Sequence, residues 1–318
     1  MVGGAADRAW RAAGALILCA GVFRLLLLGS DASAQEFREQ RPSIVGAVTV
    51  YTVRSGDTLR SIGGEHGTSV AALTLDNELV AGAALAVGQQ LRVDNRHIVP
   101  PSLEAGTLVI NIPQRMLFYG VDDDGVGVEG YPVAVGRRGW RTPANEFAVV
   151  AKERHPTWDV PVSILEESLR KGRVQPPRVP PGPDNPLGEF WIGLSLPGIG
   201  IHGTNAPSSI FGASTHGCIR MHPGHIERLF PRVSIGTRGR TIYEPVLMAT
   251  QGRDVYLEVH PDIYQRGAVG ARDGARDVAR ALAREAGLSE RIDWRAADDV
   301  AALRDGIARE VTLAGSRR

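Results

Sequence analysis

The chain has 318 residues, 43% of them apolar and 22% charged. That balance excludes a mostly disordered chain and leaves room for two or three domains with real cores. Thirty-six basic against 35 acidic residues give a net charge of +1, so nothing draws the whole molecule to nucleic acid and partners must be found through local chemistry.

The N-terminus sets the compartment. Arg8 and Arg11 precede an apolar run, Ala12–Phe23, followed by Leu25–Leu28 and the small residues Ala32-Ser33-Ala34. A positive start, an apolar middle and an A-x-A site describe a signal peptide over 1–34, cleaved between Ala34 and Gln35. Arg24 interrupts the run and keeps an uncleaved membrane anchor open as the alternative. Leu18 stands before Cys19, where a lipid-anchor motif needs a small residue. Either way the remainder is exported. Losing the leader removes three Arg and two Asp and leaves 33 charges of each sign. It also leaves Cys218 as the one thiol of an oxidising compartment. Such a residue is an intermolecular link, a buried bystander or a nucleophile.

Residues 35–47 are polar and unpatterned and form a linker. In 48–94, a strand-like Val48–Val53 and a closing Gln90–Val93 flank two short helical stretches. Asp57 is the expected cap of the first helix, which ends near Gly67; Ser69 is the expected cap of the second, which ends near Asn77. The residues make a β-α-α-β module. Tyr51–Leu59, with Ile62, Gly67, Asn77, Leu79, Leu85, Gly88-Gln89 and Leu91, resembles the lysin motif, LysM. The resemblance implies binding to peptidoglycan glycan strands; a folded spacer that binds nothing is the bland alternative.

Residues 105–245 hold short β-rich runs: Thr107–Ile112, Met116–Tyr119, Tyr131–Val135, Phe147–Ala151, Phe190–Leu194 and Thr241–Tyr243. Turn signals such as Asp123-Asp124-Gly125 separate them, a spacing that points to a sandwich or barrel. Val174–Pro186 carries six prolines in 13 residues, a density that forbids a central strand or helix and predicts a stiff surface loop. Residues 250–318 are rich in Ala, Arg and acids. Val278 and Leu282, then Val300, Leu303, Ile307 and Val311, recur at helical spacing and predict amphipathic helices packed on the β domain.

The chemistry concentrates between His202 and Cys218. Four of the eight histidines, His202, His216, His222 and His225, fall within 24 residues of one another, with Cys218 among them. A thiol needs a base before it can attack, and either His202 or His216 is placed to supply one. Gly217 leaves the backbone open beside the sulfur for an oxyanion. The alternatives are a zinc site of His202, His216, Cys218 and His222, whose spacing fits poorly, and an inert Cys in a histidine-rich core.

Ile201-His202-Gly203 and, after a gap, Thr215-His216-Gly217-Cys218-Ile219-Arg220 resemble the active-site motif of L,D-transpeptidases. The likeness extends through Pro156-Thr157-Trp158, Pro181–Gly188, Leu194–Gly198 and Ile226–Phe230. The implied fold class is mainly β: a β-α-α-β LysM domain, a β-sandwich catalytic domain and a C-terminal helical extension. The implied activity is a peptidoglycan acyl transfer. Cys218 takes the third residue of a tetrapeptide stem as a thioester and releases D-Ala; an amine then resolves it, giving a 3-3 cross-link or the anchoring of an outer-membrane lipoprotein. By the same resemblance His202 is the base and the Gly203 carbonyl orients it. Thr215, His216 and Gly217 shape the pocket and oxyanion hole. Arg220 meets a substrate carboxylate or forms a structural ion pair, and Trp158 lines the groove or belongs to the core. No cofactor and no metal are implied, carbapenems should acylate Cys218, and the place of action is the periplasm. Water in place of the amine would make the same site an L,D-carboxypeptidase or amidase. A wall-binding scaffold would leave Cys218 dispensable.

Overall fold

The computed structural model describes residues 43–315 apart from 81, 83, 122–126 and 268–271. The leader over 1–34, Cys19, residues 35–42 of the linker and the Asp123-Asp124-Gly125 turn lie outside the described residues. No described helix is long and apolar enough to cross a membrane.

A short strand β1 (Ile44–Val45) leads into the first module, built from β2 (Val48–Thr52), α1 (Leu59–His66), α2 (Val70–Asp76) and β3 (Gln90–Asp94), with β2 antiparallel to β3. Its core is Val53, Leu59, Ile62, Leu73, Leu91 and Val93. Ser69 caps α2 by accepting from the Ala72 amide, and α1 ends at Gly67 with φ 77°, a left-handed turn that glycine adopts freely. The cap of α1 is not Asp57. Thr58 fills that place, in a reciprocal pair with Ser61 three residues on. The Asp57 carboxylate accepts instead from the Tyr51 hydroxyl and the Arg54 amide, both at 2.7 Å. Strand β4 (His97–Ile98) then pairs with β1.

The large domain contains β5 (Leu108–Asn111), β6 (Met116–Gly120), β7 (Val128–Gly136), β8 (Glu146–Arg154), β9 (Trp158–Asp159), α3 (Val162–Arg170), β10 (Arg178–Val179), β11 (Phe190–Leu194), β12 (Gly200–His202), β13 (Ala213–Thr215), β14 (Ile219–Met221), α4 (Pro223–Leu229) and β15 (Arg238–Ile242). Nine strands join in the order β13-β7-β14-β12-β11-β8-β15-β5-β6. The long β7 pairs with β6 through Val128–Pro132 and with β14 through Val133 and Ala134, so the two ends of the sheet meet. Its core includes Leu108, Ile110, Leu117, Ile192, Ile201 and Ile219. Val109 and Phe118, on the other face of β5 and β6, belong to a second apolar cluster. Both faces are covered, which is why these strands read as continuous apolar runs. All six expected β-runs are strands. Helix α3 lies in a stretch where only β-runs and loops were expected, and the proline-rich segment is not all loop: Arg178 and Val179 pair with Asp159 and Trp158.

The C-terminal segment is helical only in part. Strands β16 (Val246–Gln251), β17 (Asp254–Val259) and β18 (Arg309–Glu310) form an antiparallel sheet, and α5 (Arg272–Glu285) and α6 (Trp294–Leu303) pack on that sheet rather than on the large domain's strands. The period through Ile307 and Val311 outruns the helix. Arg304 at φ 49° and Gly306 at φ 77° turn the chain, and the Val311 amide then bonds to Val255. Both residues are buried, so the apolar signal was real and its helical assignment was not.

Candidate active site

β12 and β14 lie side by side and parallel, with Ile201 opposite Ile219 and His202 opposite Arg220. Alternation does the rest. Ile201 and Ile219 point into the core, while His202, Arg220 and Cys218 (two residues before Arg220) share the other face. All three line a cavity of about 930 Å³, together with Trp158, Trp191, Thr215, His216 and the proline-rich segment at Gln175, Pro176 and Pro186. Trp191 stands opposite His202 on β11 and stacks on it, with ring centroids 6.1 Å apart and planes at 25°. Gly200 makes the room: a Cβ there would fall 2.3 Å from the indole. Sequence reasoning passed over Trp191, which looked like one more aromatic in a strand.

His202 is buried, and its Nδ1 lies 2.7 Å from the Gly203 carbonyl oxygen. A carbonyl only accepts, so Nδ1 carries the hydrogen and Nε2 keeps a free lone pair. Burial, helped by the nearby charge of Arg220, pushes its pKa down to about 3. The Cys218 thiol donates to the Gly198 carbonyl at 3.5 Å. Burial raises its pKa, with a backbone hydrogen bond at Gly200 and the Arg220 charge pulling the other way. At neutral pH the resting pair is therefore a thiol and a neutral imidazole, a proton donor and a base.

The turn that presents the sulfur is tied down on both sides. The Thr215 hydroxyl donates to the Cys218 carbonyl at 2.6 Å and accepts from the Gly217 amide at 3.2 Å. The Gly217 carbonyl accepts from the Thr142 hydroxyl at 2.8 Å. Gly217 has φ 111°, and a Cβ there would also press on Ile199 at 3.0 Å. His216 is committed elsewhere. Its Nε2 is 2.7 Å from Glu167 Oε2 on α3, and its ring meets the Trp140 edge. Glu167 also takes hydrogen bonds from Arg137 and Lys171, and these three partners hold its carboxyl well below the usual range. Of the two histidines that sequence left open, His202 is answered only by a carbonyl and lies on the strand beside the one that Cys218 precedes, whereas His216 is tied to a carboxylate. Arg220 has no acidic partner among the described residues. Its Nη1 donates to the Ser209 hydroxyl at 2.8 Å and its buried Nε donates to nothing. Trp158 is a half-buried wall of the cavity, held there by pairing with Val179. Glu167, Arg137 and Ser209 went unnoticed in the sequence because they lie in three separate segments, 49, 79 and 11 residues from the side chains they meet.

The L,D-transpeptidase catalytic domain, as a family description, matches residues 105–247, and the LysM domain matches residues 51–94. Over 175 residues the chain is 35% identical to the probable L,D-transpeptidase ErfK/SrfK of Escherichia coli (strain K12), covering 54% of this chain and 56% of that protein. Over 223 residues it is 31% identical to the probable L,D-transpeptidase YbiS of the same strain, covering 68% of this chain and 71% of that one. The chain belongs to the L,D-transpeptidase family. It spans little more than half the length of the ErfK/SrfK protein. Among solved structures, L,D-transpeptidase 3 from Mycobacterium tuberculosis is 17% identical, with 64% of this chain and 95% of that chain covered and a TM-score of 0.34.

In this chain the histidines suited by position to share a metal ion are not those of the motif. Among the described residues, the side chains close enough are His97, Glu258 and His260, all buried. Their ligand atoms are already engaged with one another. Glu258 Oε1 lies 2.8 Å from His97 Nδ1 and 2.8 Å from His260 Nε2, and the carboxylate also accepts from Gln114 and the Ile98 amide. His97 Nε2 reaches the Gly67 carbonyl at 2.6 Å, so both its nitrogens must donate and the ring is an imidazolium. Burial opposes that charge, but Glu258 outweighs it and raises the His97 pKa. Burial likewise works against the ionised Glu258, yet His97 and His260 hold its pKa down to about 2. His222, the fourth member of the zinc reading, instead accepts from the Gly224 amide and caps α4.

Proposed function

We propose that the protein is an exported peptidoglycan L,D-transpeptidase in which Cys218 is the nucleophile and His202 its base. One observation carries the reading: His202 has its Nδ1 hydrogen fixed on the Gly203 carbonyl and its other nitrogen free, on the strand beside the one that Cys218 opens. His202 takes the thiol proton as sulfur attacks the carbonyl of the third stem residue. The C–N bond to D-Ala breaks, the leaving amine takes the proton back, and a thioester remains. An amine acceptor then attacks that thioester, and the acyl group passes to its nitrogen. No cofactor is required, because the thioester keeps the energy of the broken amide.

The remaining residues support that step. Thr215 and Gly217 fix the turn that carries the sulfur. His216 ties the same turn to α3 through Glu167, and Trp158 and Trp191 wall the cavity for a peptide stem. Arg220, a cation without an acidic partner beside the thiol, suits a stem carboxylate. The LysM module holds glycan strands, and the place of action is the periplasm, reached through the leader over 1–34. The acceptor is a second stem or a lipoprotein amine.

Intact-protein mass spectrometry after incubation with a purified disaccharide-tetrapeptide, and separately with a carbapenem, tests the reading. The expected outcome is an adduct on Cys218 and a cross-linked dimer that has lost D-Ala, both absent in Cys218→Ala. A tripeptide product without dimer would move the assignment to hydrolysis or to a different amine. A folded protein giving neither adduct nor product would sink the cysteine mechanism and leave a glycan-binding protein.

A further inference from the structure

A short 3-10 turn, Pro207–Ser209, stands between the LysM module and Arg220. On one side α1 packs against it. Gly64 lies where a Cβ would come 3.2 Å from the Ile210 carbonyl oxygen and 3.4 Å from that of Pro207, so helix and turn meet through bare backbone. On the other side the Ser209 hydroxyl accepts from Arg220 at 2.8 Å and donates to the Ala206 carbonyl at 2.6 Å. Arg220 is largely buried, its Nε has no partner, and the titrating groups coupled to its charge are Cys218 and His202, which share its face of the cavity. A guanidinium has five donors and a long, flexible stem. With no carboxylate to fix it, its direction rests on this one neutral hydroxyl.

We infer that Ser209 is a positioning residue for the Cys218 thiol, holding Arg220 beside the sulfur, and that helix α1 of the LysM module backs the turn that carries Ser209. The LysM module is then a structural part of the active site as well as a domain attached to it. The physical basis is the steep fall of a charge's effect once it swings from a dry wall into water. The inference concerns thiol reactivity and holds whichever acceptor the enzyme uses.

The test needs no peptidoglycan, so its failure and the failure of the proposed reaction are separate results. In the full chain, alkylation of the Cys218 peptide by iodoacetamide is followed by mass spectrometry as a function of pH. Arg220→Gln should move the midpoint up by about one unit, slowing alkylation on the rising limb about tenfold. Ser209→Ala should shift it the same way by a smaller amount, and Ser209→Thr, which keeps the hydroxyl, should restore it. Gly64→Leu, far from the cavity, should behave like Ser209→Ala. If that chain fails to fold, Gly64→Ala, whose methyl needs only a slight retreat of Ile210, carries the comparison. A Ser209→Ala profile that coincides with the parent while Arg220→Gln moves would overturn the role of Ser209. An unmoved Arg220→Gln profile would remove the charge from the argument altogether. Unmoved Gly64 variants would overturn the part played by the LysM helix.

Discussion

At the junction of the three modules, Glu258 takes hydrogen bonds from His97, His260, Gln114 and the Ile98 amide, all out of reach of solvent. At the cavity, His202 has one hydrogen bond, to Gly203, and its second nitrogen is uncommitted. Both places hold a buried histidine, and the same burial acts on each. What separates them is how many lone pairs and hydrogens are left over. Where a carboxylate answers the imidazole, as at His97, burial yields a charged pair and a mechanical joint. Where only a carbonyl answers it, burial yields a neutral base. That joint reaches three segments distant in the chain, since His97 also holds the Gly67 carbonyl of the LysM module.

The comparison predicts a double dissociation. His202→Ala should cut acylation of Cys218 by about 10²–10⁴-fold and leave the unfolding free energy within roughly 1 kcal/mol of the parent. Stopped-flow or mass-spectrometric acylation rates, read beside chemical denaturation, check both halves. A His202→Ala chain that acylates at the parental rate would return the base to the other histidines. At the joint the expectation is reversed. Glu258→Ala leaves His97 buried without its counter-charge and should cost about 3–5 kcal/mol of stability, while the folded fraction acylates at a near-normal rate. A stable Glu258→Ala chain with dead chemistry would erase the distinction between the two clusters.

The pH dependence sharpens the contrast further. His202 titrates at about 3 in the folded protein, so the acid limb of kcat/KM should fall far below the ordinary histidine range. The sign for stability follows. The folded His202 value is depressed, so its contribution is fully present above the unfolded value and is lost as pH falls from there toward about 3. Glu258, held at about 2, loses its contribution in the same direction but lower, between the ordinary carboxylate range and about 2. His97 is raised and loses its contribution as pH rises through its folded value. An acid limb centred in the ordinary histidine range would mean that His202 is not sealed as described.

The chemistry was more legible in the sequence than its scaffolding. Cys218 follows directly on the turn Thr215–Gly217, and His202, the base proposed for it, stands 16 residues upstream in a segment rich in histidine. The β-runs of the large domain were legible because both sheet faces are covered. Trp191, Glu167 and Ser209 were not, since each gains its meaning from a strand register, a helix face or a turn that only the folded chain sets. The joint was hidden for the same reason: His97 and Glu258 are 161 residues apart. Ile307 and Val311 show the opposite failure. Their spacing is helical, but a left-handed Arg304 and a turn at Gly306 divert the chain into a strand.

His216 falls between the two clusters and gives the smallest effect. Like His97 it faces a carboxylate, 2.7 Å away, but it is partly open to the cavity, and Glu167 keeps Arg137 and Lys171 when the imidazole is gone. An ion pair so exposed and so easily replaced shifts an equilibrium by only about a few-fold. His216→Gln should therefore slow acylation by about that much, chiefly by loosening the turn that carries Cys218. Measured beside His202→Ala under the same conditions, it ranks the two histidines directly. A loss as deep as that of His202→Ala would make His216 the proton carrier, and a carboxylate partner would no longer be what marks a structural histidine in this chain.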